Sequence, residues 1–311
     1  MKVSFGIINY NRLFYLKSCA ESLMESVGDY SDVEFICIDD NSKEDGTKEY
    51  LQTLKDRGWT VINQENHRQS SKQDIGAIKQ VIDEFSAALN LFNETATGDL
   101  IVPLQGDMQF VRKDWIDDYV ELFEESEDVF AVMLDAQRRI RLNASNYTDK
   151  RTSSNNSFAV HLGRAIPGSG DCMYRKEDVD HIGGWHTGES DNAEDIFTNM
   201  VDAVFYGKKK VFVPWKPVSI GIFTDPRGTN GRVRGNKRYG VYWEALKDNL
   251  YYDWIPEEKF SEASLLHRPL SIEELAAAHG NWSLPIDSFG NWKKNPINWP
   301  VEDNVPFEVI T

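Results

Sequence analysis

Carboxylates follow two predicted buried strands of this chain, and one of them, Asp107, is placed to bind a divalent cation. Leu100 to Leu104 is a short apolar run bounded by turn formers, which predicts a buried parallel strand ending just before Asp107. Asp39 and Asp40 likewise end a predicted strand, Val33 to Ile38. In an open α/β sheet, ligands bind at this edge. A carboxylate there can hold a divalent cation for an anionic diphosphate; the alternative is a solvated turn residue that caps the next helix.

Another acidic pair, Glu194 and Asp195, is predicted to lie in the first turn of a helix. Asp191 to Glu194 matches a capping box, apolar residues follow at helical spacing, and Gly207 ends the pattern. The helix dipole by itself favours acids at this position. The spacing alone therefore leaves a structural interpretation of the pair open.

The first 110 residues alternate between strand and helix patterns. Such alternation predicts an α/β fold with a parallel, doubly wound sheet, and it brings Asp39, Asp40 and Asp107 to the same edge. The predicted strands are Val3 to Ile8, Val33 to Ile38, Thr60 to Asn63 and Leu100 to Leu104, and the predicted helices are one that begins after Asn11, Glu44 to Arg57, and a long one with its apolar stripe from Ile75 to Phe92.

The chain after Asp107 is less regular. A stretch without periodicity, Gln137 to Ser157, predicts a mobile loop. The remaining predicted elements are a helix from Asp114 to Glu124, a strand from Val129 to Leu134, a strand from Asp171 to Tyr174, a tight turn at Gly183-Gly184-Trp185 and one or two strands within Val211 to Phe223. Residues 223–311 read as a basic loop followed by an irregular, Trp-rich extension.

The composition limits the classes of partner. The 311 residues carry a formal net charge of -16, which disfavours nucleic acid or an anionic membrane surface because both need clustered cations. No apolar run approaches the roughly 20 residues of a membrane span, so we expect a cytoplasmic protein. The three cysteines lie in apolar runs and are predicted to be small core residues.

Pro226 to Arg238 is a dense cationic stretch, interleaved with glycine. One interpretation is a basic loop that forms salt bridges with the acidic body of the protein. The other is a hinged loop that closes over a diphosphate, since arginine is suited to bidentate phosphate contacts.

Four motifs, in order along the chain, resemble the GT-A glycosyltransferases of the mostly inverting family 2. They are VSFGIINYNR, FICIDDNSKEDGT, GDLIVPLQGD and IGGWHTGESDNAED. The resemblance covers residues 1–222. It implies a Rossmann-like GT-A domain with a nucleotide-binding half at 1–110 and an acceptor-binding half at 111–222.

The resemblance also implies an activity and a set of roles. The chain would transfer a sugar from a nucleotide-sugar donor, preferably a UDP-sugar, to a hydroxyl acceptor with inversion, as in glycan or polysaccharide biosynthesis. Asp40 would accept from the imide N–H of a uracil-type base, and Asp107 would bind Mn²⁺ or Mg²⁺. Asp195 would be the general base, while Glu194 would raise the pKa of Asp195 or help to cap the helix. The other predicted donor-binding residues are Ile8, Asn9, Tyr10, Arg12, Lys72, Gln105, Gly106, Arg232 and Arg234.

Departures from the family pattern keep two alternatives open. The metal strand keeps one acid, at Asp107, no histidine follows between His186 and His267, and the usual Gly-rich turn is replaced at Asn66 to Lys72. The incomplete metal strand is compatible with an inactive carbohydrate-binding relative. A sugar nucleotidyltransferase is the other alternative, because it shares the sheet type and a metal held by carboxylates. The motifs GxGxxG, GxxxxGK[ST], GxSxG and HExxH are absent, which disfavours dinucleotide oxidoreductases, P-loop kinases, hydrolases and zincins.

Overall fold

The predicted alternation of strands and helices is present in a computed structural model of the chain. The structure describes residues 1–11, 13–43, 45–64, 78–104, 106, 108–110, 112–134, 150–161, 172–185, 197, 201, 204–214 and 218–221.

The first four strands form a parallel set. They are β1 (Val3–Asn9), β2 (Val33–Asp39), β3 (Thr60–Asn63) and β4 (Leu100–Leu104), in the spatial order β3-β2-β1-β4. All three neighbouring pairs are parallel, so the carboxyl ends of these strands share one edge of the sheet. The predicted doubly wound arrangement of this half is confirmed.

Three helices connect these strands. They are α1 (Leu13–Val27), α2 (Thr47–Asp56) and α3 (Ile78–Thr95). The expected apolar face of α1 is buried, from Leu13 to Val27. Helix α2 begins three residues later than predicted, because Gly46 adopts a left-handed conformation with φ of 84°.

Helix α3 packs directly on β1. A Cβ atom on Gly6 would lie 2.2 Å from Cδ2 of Phe92, so the ring occupies the space that a larger side chain would need. Glycine in this strand therefore sets how closely α3 approaches the sheet. The part of the predicted helical stripe that begins at Ile75 lies outside the described residues.

The second half of the chain extends the sheet in mixed directions. Its elements are β5 (Met108–Phe110), α4 (Ile116–Glu125), β6 (Val129–Met133), β7 (Lys150–Thr152), β8 (Ser157–His161), β9 (Cys172–Arg175), α5 (Lys176–Ile182), β10 (Lys210–Pro214) and β11 (Ser219–Gly221). The order of the sheet continues from β4 through β9, β6, β10 and β8 to β7. Strand β9 is antiparallel to β4 and β6, while β10 is parallel to β6. The separate strands β5 and β11 form a two-stranded antiparallel sheet.

The prediction of a mobile loop up to Ser157 is wrong for its last residues, which form the β7–β8 hairpin. The carboxylate of Asp118 on α4 accepts hydrogen bonds from the Ser153 hydroxyl at 2.9 Å and the Asn155 amide at 2.8 Å. These contacts come from a distant part of the chain, so local periodicity gives no sign of them. Residues 137–149 lie outside the described part.

Two further details differ from expectation. Asp114, with φ of 53°, delays the start of α4 to Ile116, and α5 was not predicted.

The expected core positions of the three cysteines, Cys19, Cys37 and Cys172, are confirmed, and burial raises the pKa of the Cys37 thiol. In the part of the chain that the structure describes, no helix is both long and apolar enough to cross a membrane.

Candidate functional site

The ends of β1 and β2 present different residues on the two faces of the sheet. Successive side chains of a strand alternate between faces. Phe5 and Phe35 pack in the core cluster below α1 and α2, whereas Gly6 meets Phe92 of α3 on the other face. By the same alternation, Asn9 and Asp39 belong to the α1/α2 face. Ile8, Tyr10 and Asp40 belong to the α3 face.

Asp39 is the centre of a buried hydrogen-bond network on the α1/α2 face. Its Oδ1 accepts from Asn9 Nδ2 at 2.8 Å and from the Ser42 hydroxyl at 2.7 Å. Its Oδ2 accepts from the Ser42 amide at 2.9 Å. The carboxylate of Asp39 therefore joins the end of β1 to the turn after β2, and both of its oxygens have protein partners.

Ser42 uses its full hydrogen-bonding capacity in this network. A hydroxyl has one donor and two acceptor positions. Ser42 donates to Asp39 and accepts from Asn9 Nδ2 at 3.1 Å and from the Asn11 amide at 2.9 Å. Asn11 Oδ1 in turn accepts from the Lys43 amide at 2.6 Å, so the two strand-end turns hold each other in place.

Asp40 lies one residue further on, and the alternation of side chains assigns it to the opposite face of the sheet. Its side chain is fully buried, and its amide donates to the Asn9 carbonyl at 2.9 Å, which extends the β1–β2 ladder. Tyr10 beside it is partly exposed, and Ile8 is buried. The predicted base-reading carboxylate is thus held by a rigid backbone at the expected edge of the sheet; its role as a base reader stays a prediction.

Gly106 brings the turn after β4 to the same edge. It adopts φ of 82°, and a Cβ there would lie 3.6 Å from Ile7 Cγ2 and 3.7 Å from the Ile8 carbonyl oxygen. The left-handed conformation favours glycine, and the short distance places this turn against the end of β1. Gln105 and Asp107, on either side of Gly106, lie outside the described residues.

Among the described residues, no group of three or more potential side-chain ligands is arranged to hold a metal ion. Asp39 does not fit that task, because its two oxygens already accept three hydrogen bonds. The expected metal site therefore depends on Asp107, and its assignment as a ligand stays a prediction.

The predicted tight turn at Gly183-Gly184-Trp185 is present and is held by a residue of α3. Both glycines have positive φ, 81° and 74°. Asn90 Oδ1 accepts from the Trp185 amide at 2.8 Å, and Asn90 Nδ2 donates to the Trp185 carbonyl at 2.7 Å. A Cβ on Gly184 would lie 2.4 Å from Asn90 Oδ1, so the turn needs glycine at this contact as well.

Trp185 links this turn to the predicted helix of the acidic pair through a ring contact. Its buried ring stacks on Phe197, with ring centroids 4.9 Å apart and an interplanar angle of 8°. Phe197 and Val201 are helical, as the predicted helix requires, and Gly207 has φ of 70° beyond it. Glu194 and Asp195 precede Phe197 closely in sequence but lie outside the described residues.

Several other predicted site residues also fall outside the described part of the chain, and their roles stay predictions. They are Arg12, Lys72, Arg232 and Arg234. The whole cationic stretch from Pro226 to Arg238 belongs with them.

Sequence reasoning missed the functional interest of Gln64 and Asn90. Gln64 follows β3 directly, and its amide donates to the Asp39 carbonyl at 2.8 Å. Its place one residue beyond a predicted parallel strand was a usable signal. Asn90 gives no such signal, because its partner Trp185 is 95 residues away.

Comparison with known proteins identifies the family. The model of glycosyl transferase family 2 matches residues 4–183, more than half of the chain. The chain belongs to glycosyl transferase family 2. No curated protein matches it significantly.

Solved structures share the fold of this glycosyltransferase. The mannosyltransferase PcManGT from Pyrobaculum calidifontis, in complex with GDP-Man and Mn²⁺, is 18% identical with a TM-score of 0.53, over 91% of this chain and 76% of that one. S. aureus TarS 1–349 in complex with UDP is 14% identical with a TM-score of 0.51, over 71% and 60%. The same TarS fragment in complex with UDP-GlcNAc is 15% identical with a TM-score of 0.50, over 71% and 58%. At these identities the likeness shows the GT-A fold, with its mixed, mostly parallel sheet.

Proposed function

We propose that this chain transfers a sugar from a nucleotide-sugar donor to a hydroxyl acceptor with inversion and with the help of a divalent metal. The observation that carries the proposal is the different environment of two adjacent carboxylates. Both oxygens of Asp39 accept hydrogen bonds that hold the strand ends, while the alternation of side chains assigns the buried Asp40 to the other face, beside Tyr10. One acid builds the site, and the next one supplies an acceptor within it.

The donor base lies at Asp40 in this proposal. Its carboxylate accepts from an imide N–H, a group that uracil carries at N3 and guanine at N1. The backbone of Ile8 to Tyr10 lines the nucleoside. Similar proteins have been solved with GDP-Man and with UDP-GlcNAc, which supports a nucleotide-sugar donor without fixing its base.

Asp107 binds Mn²⁺ or Mg²⁺ in this proposal, and the ion offsets the charge on the departing diphosphate. Gly106, beside the end of β1, supports this placement because it brings its turn to the strand edge where Asp40 lies. Asp195 takes the proton of the acceptor hydroxyl, and Glu194 adjusts the pKa of Asp195 or helps to cap its helix. Asn90, Trp185 and Phe197 support this role because they fix the path of the chain toward that helix.

The cationic stretch from Pro226 to Arg238 orders over the diphosphate in this proposal, with Arg232 and Arg234 as phosphate contacts. Limited proteolysis of the full chain tests this step. Cleavage within the stretch is expected to fall when nucleoside diphosphate and Mn²⁺ are added. Equal cleavage with and without saturating ligand would favour a salt-bridged surface loop.

A donor-turnover assay tests the activity itself. The full chain is incubated with a panel of UDP-, GDP- and dTDP-sugars and Mn²⁺, and release of nucleoside diphosphate is measured before and after chelation of the metal. We expect metal-dependent release from one class of donor, and its loss in Asp107→Ala with an unchanged melting temperature. Asp29→Ala is the matched control, since Asp29 is exposed and follows the end of α1 at the opposite edge of the sheet. Mn²⁺-dependent turnover that survives in Asp107→Ala would contradict the metal assignment.

A further inference from the structure

Tyr10, Asp40 and Gln64 form a row across the ends of β1, β2 and β3. The last residues of these strands are in parallel register, since Asn9 pairs with Asp39 and Asp39 pairs with Asn63. The residues of the row come directly after them. The ladder continues between them, since the Asp40 amide donates to the Asn9 carbonyl and the Gln64 amide donates to the Asp39 carbonyl.

All three residues of this row belong to the α3 face. Val61 joins the core cluster on the α1/α2 side, so alternation assigns Asn63 to that side and Gln64 to the other. Neighbouring strands of a sheet are about 4.8 Å apart. Gln64 is therefore the side neighbour of Asp40, just as Tyr10 is its neighbour on the other side.

The Gln64 side chain offers an acceptor beside this carboxylate. Its Oε1 is buried and has no hydrogen-bond partner among the described residues, although the residue as a whole is partly exposed. A buried carbonyl oxygen without a hydrogen bond is destabilising, so a ligand that donates to it binds with an advantage. The row thus combines an aromatic ring, a carboxylate and an amide oxygen.

We propose that Gln64 is a base-selecting residue of the donor site and that the row prefers guanine, in place of the uracil expected from the sequence. This inference rests on the proposed function. Guanine carries two neighbouring donors, N1–H and the 2-amino group, which match the two neighbouring acceptors Asp40 and Gln64 Oε1. Uracil has a single imide N–H between two carbonyls, so one of its carbonyls faces the amide oxygen. The partly exposed Tyr10 ring supplies a stacking surface for either base.

Titration calorimetry of the full chain with GDP and with UDP, both in the presence of Mn²⁺, tests the inference. We expect GDP to bind about tenfold more tightly than UDP, the range that one additional satisfied hydrogen bond supplies. Gln64→Met, which removes the acceptor at similar volume, is expected to abolish the preference while UDP binding remains. Gln64→Glu keeps an acceptor and is expected to keep the preference. Gln52→Met is the matched control, because Gln52 is an exposed residue of α2 whose Nε2 bonds Asp56.

The possible outcomes separate the two proposals. UDP binding as tight as GDP binding, or a preference that persists in Gln64→Met, would overturn the role of Gln64 while the transferase proposal stands. Binding of neither nucleotide to a folded wild-type chain would overturn the proposed function and this inference with it. Thermal unfolding of each variant, compared with that of Gln52→Met, shows that a lost preference is not a lost fold.

Discussion

Ser42 donates two hydrogen bonds to the carboxylate of Asp39, one to each oxygen. This pairing gives Asp39 a structural role that its neighbour Asp40 does not share. Asp39 fixes the turn after β2 against the end of β1, and the Asp40 amide donates to the Asn9 carbonyl at that end of β1. The family resemblance singled out Asp40 in the sequence, but it gave no sign of the structural role of Asp39.

The two acids are expected to respond differently to the same substitution. Asp39→Asn replaces an acceptor oxygen with a donor that faces other donors, so we expect the free energy of unfolding to fall by about 2–3 kcal/mol, as for hydrogen bonds to charged groups. Asp40→Asn is expected to change unfolding less and to lower donor affinity about tenfold or more. Chemical denaturation and nucleotide titration of the pair give the comparison. Equal loss of stability with unchanged donor affinity in Asp40→Asn would refute the assignment.

Much of the fold was predictable because local pattern decides it. The apolar run from Leu100 to Leu104 forms β4 with the predicted bounds. Strand β3, at Thr60–Asn63, also has the predicted bounds. Errors arose where one residue of unusual backbone conformation sets a boundary. Gly46 and Asp114, both with positive φ, delay the starts of α2 and α4.

The parts of the site that escaped prediction depend on partners far away in sequence. Asp39 acquires its structural role from Asn9, 30 residues earlier, and Trp185 is held by Asn90, 95 residues earlier. The β7–β8 hairpin likewise depends on Asp118. Periodicity reports which face of an element is buried, but it carries no information about such pairs.

Asn90 is expected to couple stability to catalysis. Asn90→Ala removes both hydrogen bonds to the Trp185 backbone, so we expect a loss of about 2 kcal/mol in unfolding free energy and a lower kcat with nearly unchanged donor KM. Asn93→Ala is the matched control one turn away, because Asn93 Nδ2 bonds the Asp180 carboxylate at 2.8 Å and not the turn. Similar kcat values for the two variants would limit Asn90 to a purely structural role.

Glu34 gives the chain a defined acid sensitivity. Burial raises the pKa of this carboxyl, but hydrogen bonds from Ser4, Thr97 and Lys2 outweigh it and lower the pKa from 4.5 to about 2. The ionised form is therefore favoured by folding. Its stabilisation is complete above about pH 5 and is lost as the pH falls toward 2.

The substitution Glu34→Gln tests this linkage. At neutral pH we expect the free energy of unfolding of the variant to be about 1–2 kcal/mol lower than that of the wild type. This figure is reduced for the partial exposure of the side chain. The difference from wild type is expected to shrink between about pH 5 and pH 2. Glu25→Gln, at an exposed residue paired with Lys113, serves as the control. A difference that stays constant over this pH range would contradict the linkage.

The proposed role of Asp195 as the general base can be tested by a substitution that is expected to leave the fold intact. Trp185 stacks on Phe197, so the helical segment at Phe197 and Val201 is anchored to the core by a contact that does not involve Asp195. Asp195→Asn is therefore expected to keep its melting temperature and its donor affinity and to lose transfer, since a general base contributes about 10²- to 10⁴-fold. Glu194→Gln distinguishes the two proposed roles of Glu194: if Glu194 raises the pKa of Asp195, its removal moves the acid limb of the kcat/KM profile to lower pH, whereas a capping role leaves that limb unchanged. If Asp195→Asn still forms product at more than about a hundredth of the wild-type rate, another residue must take the acceptor proton.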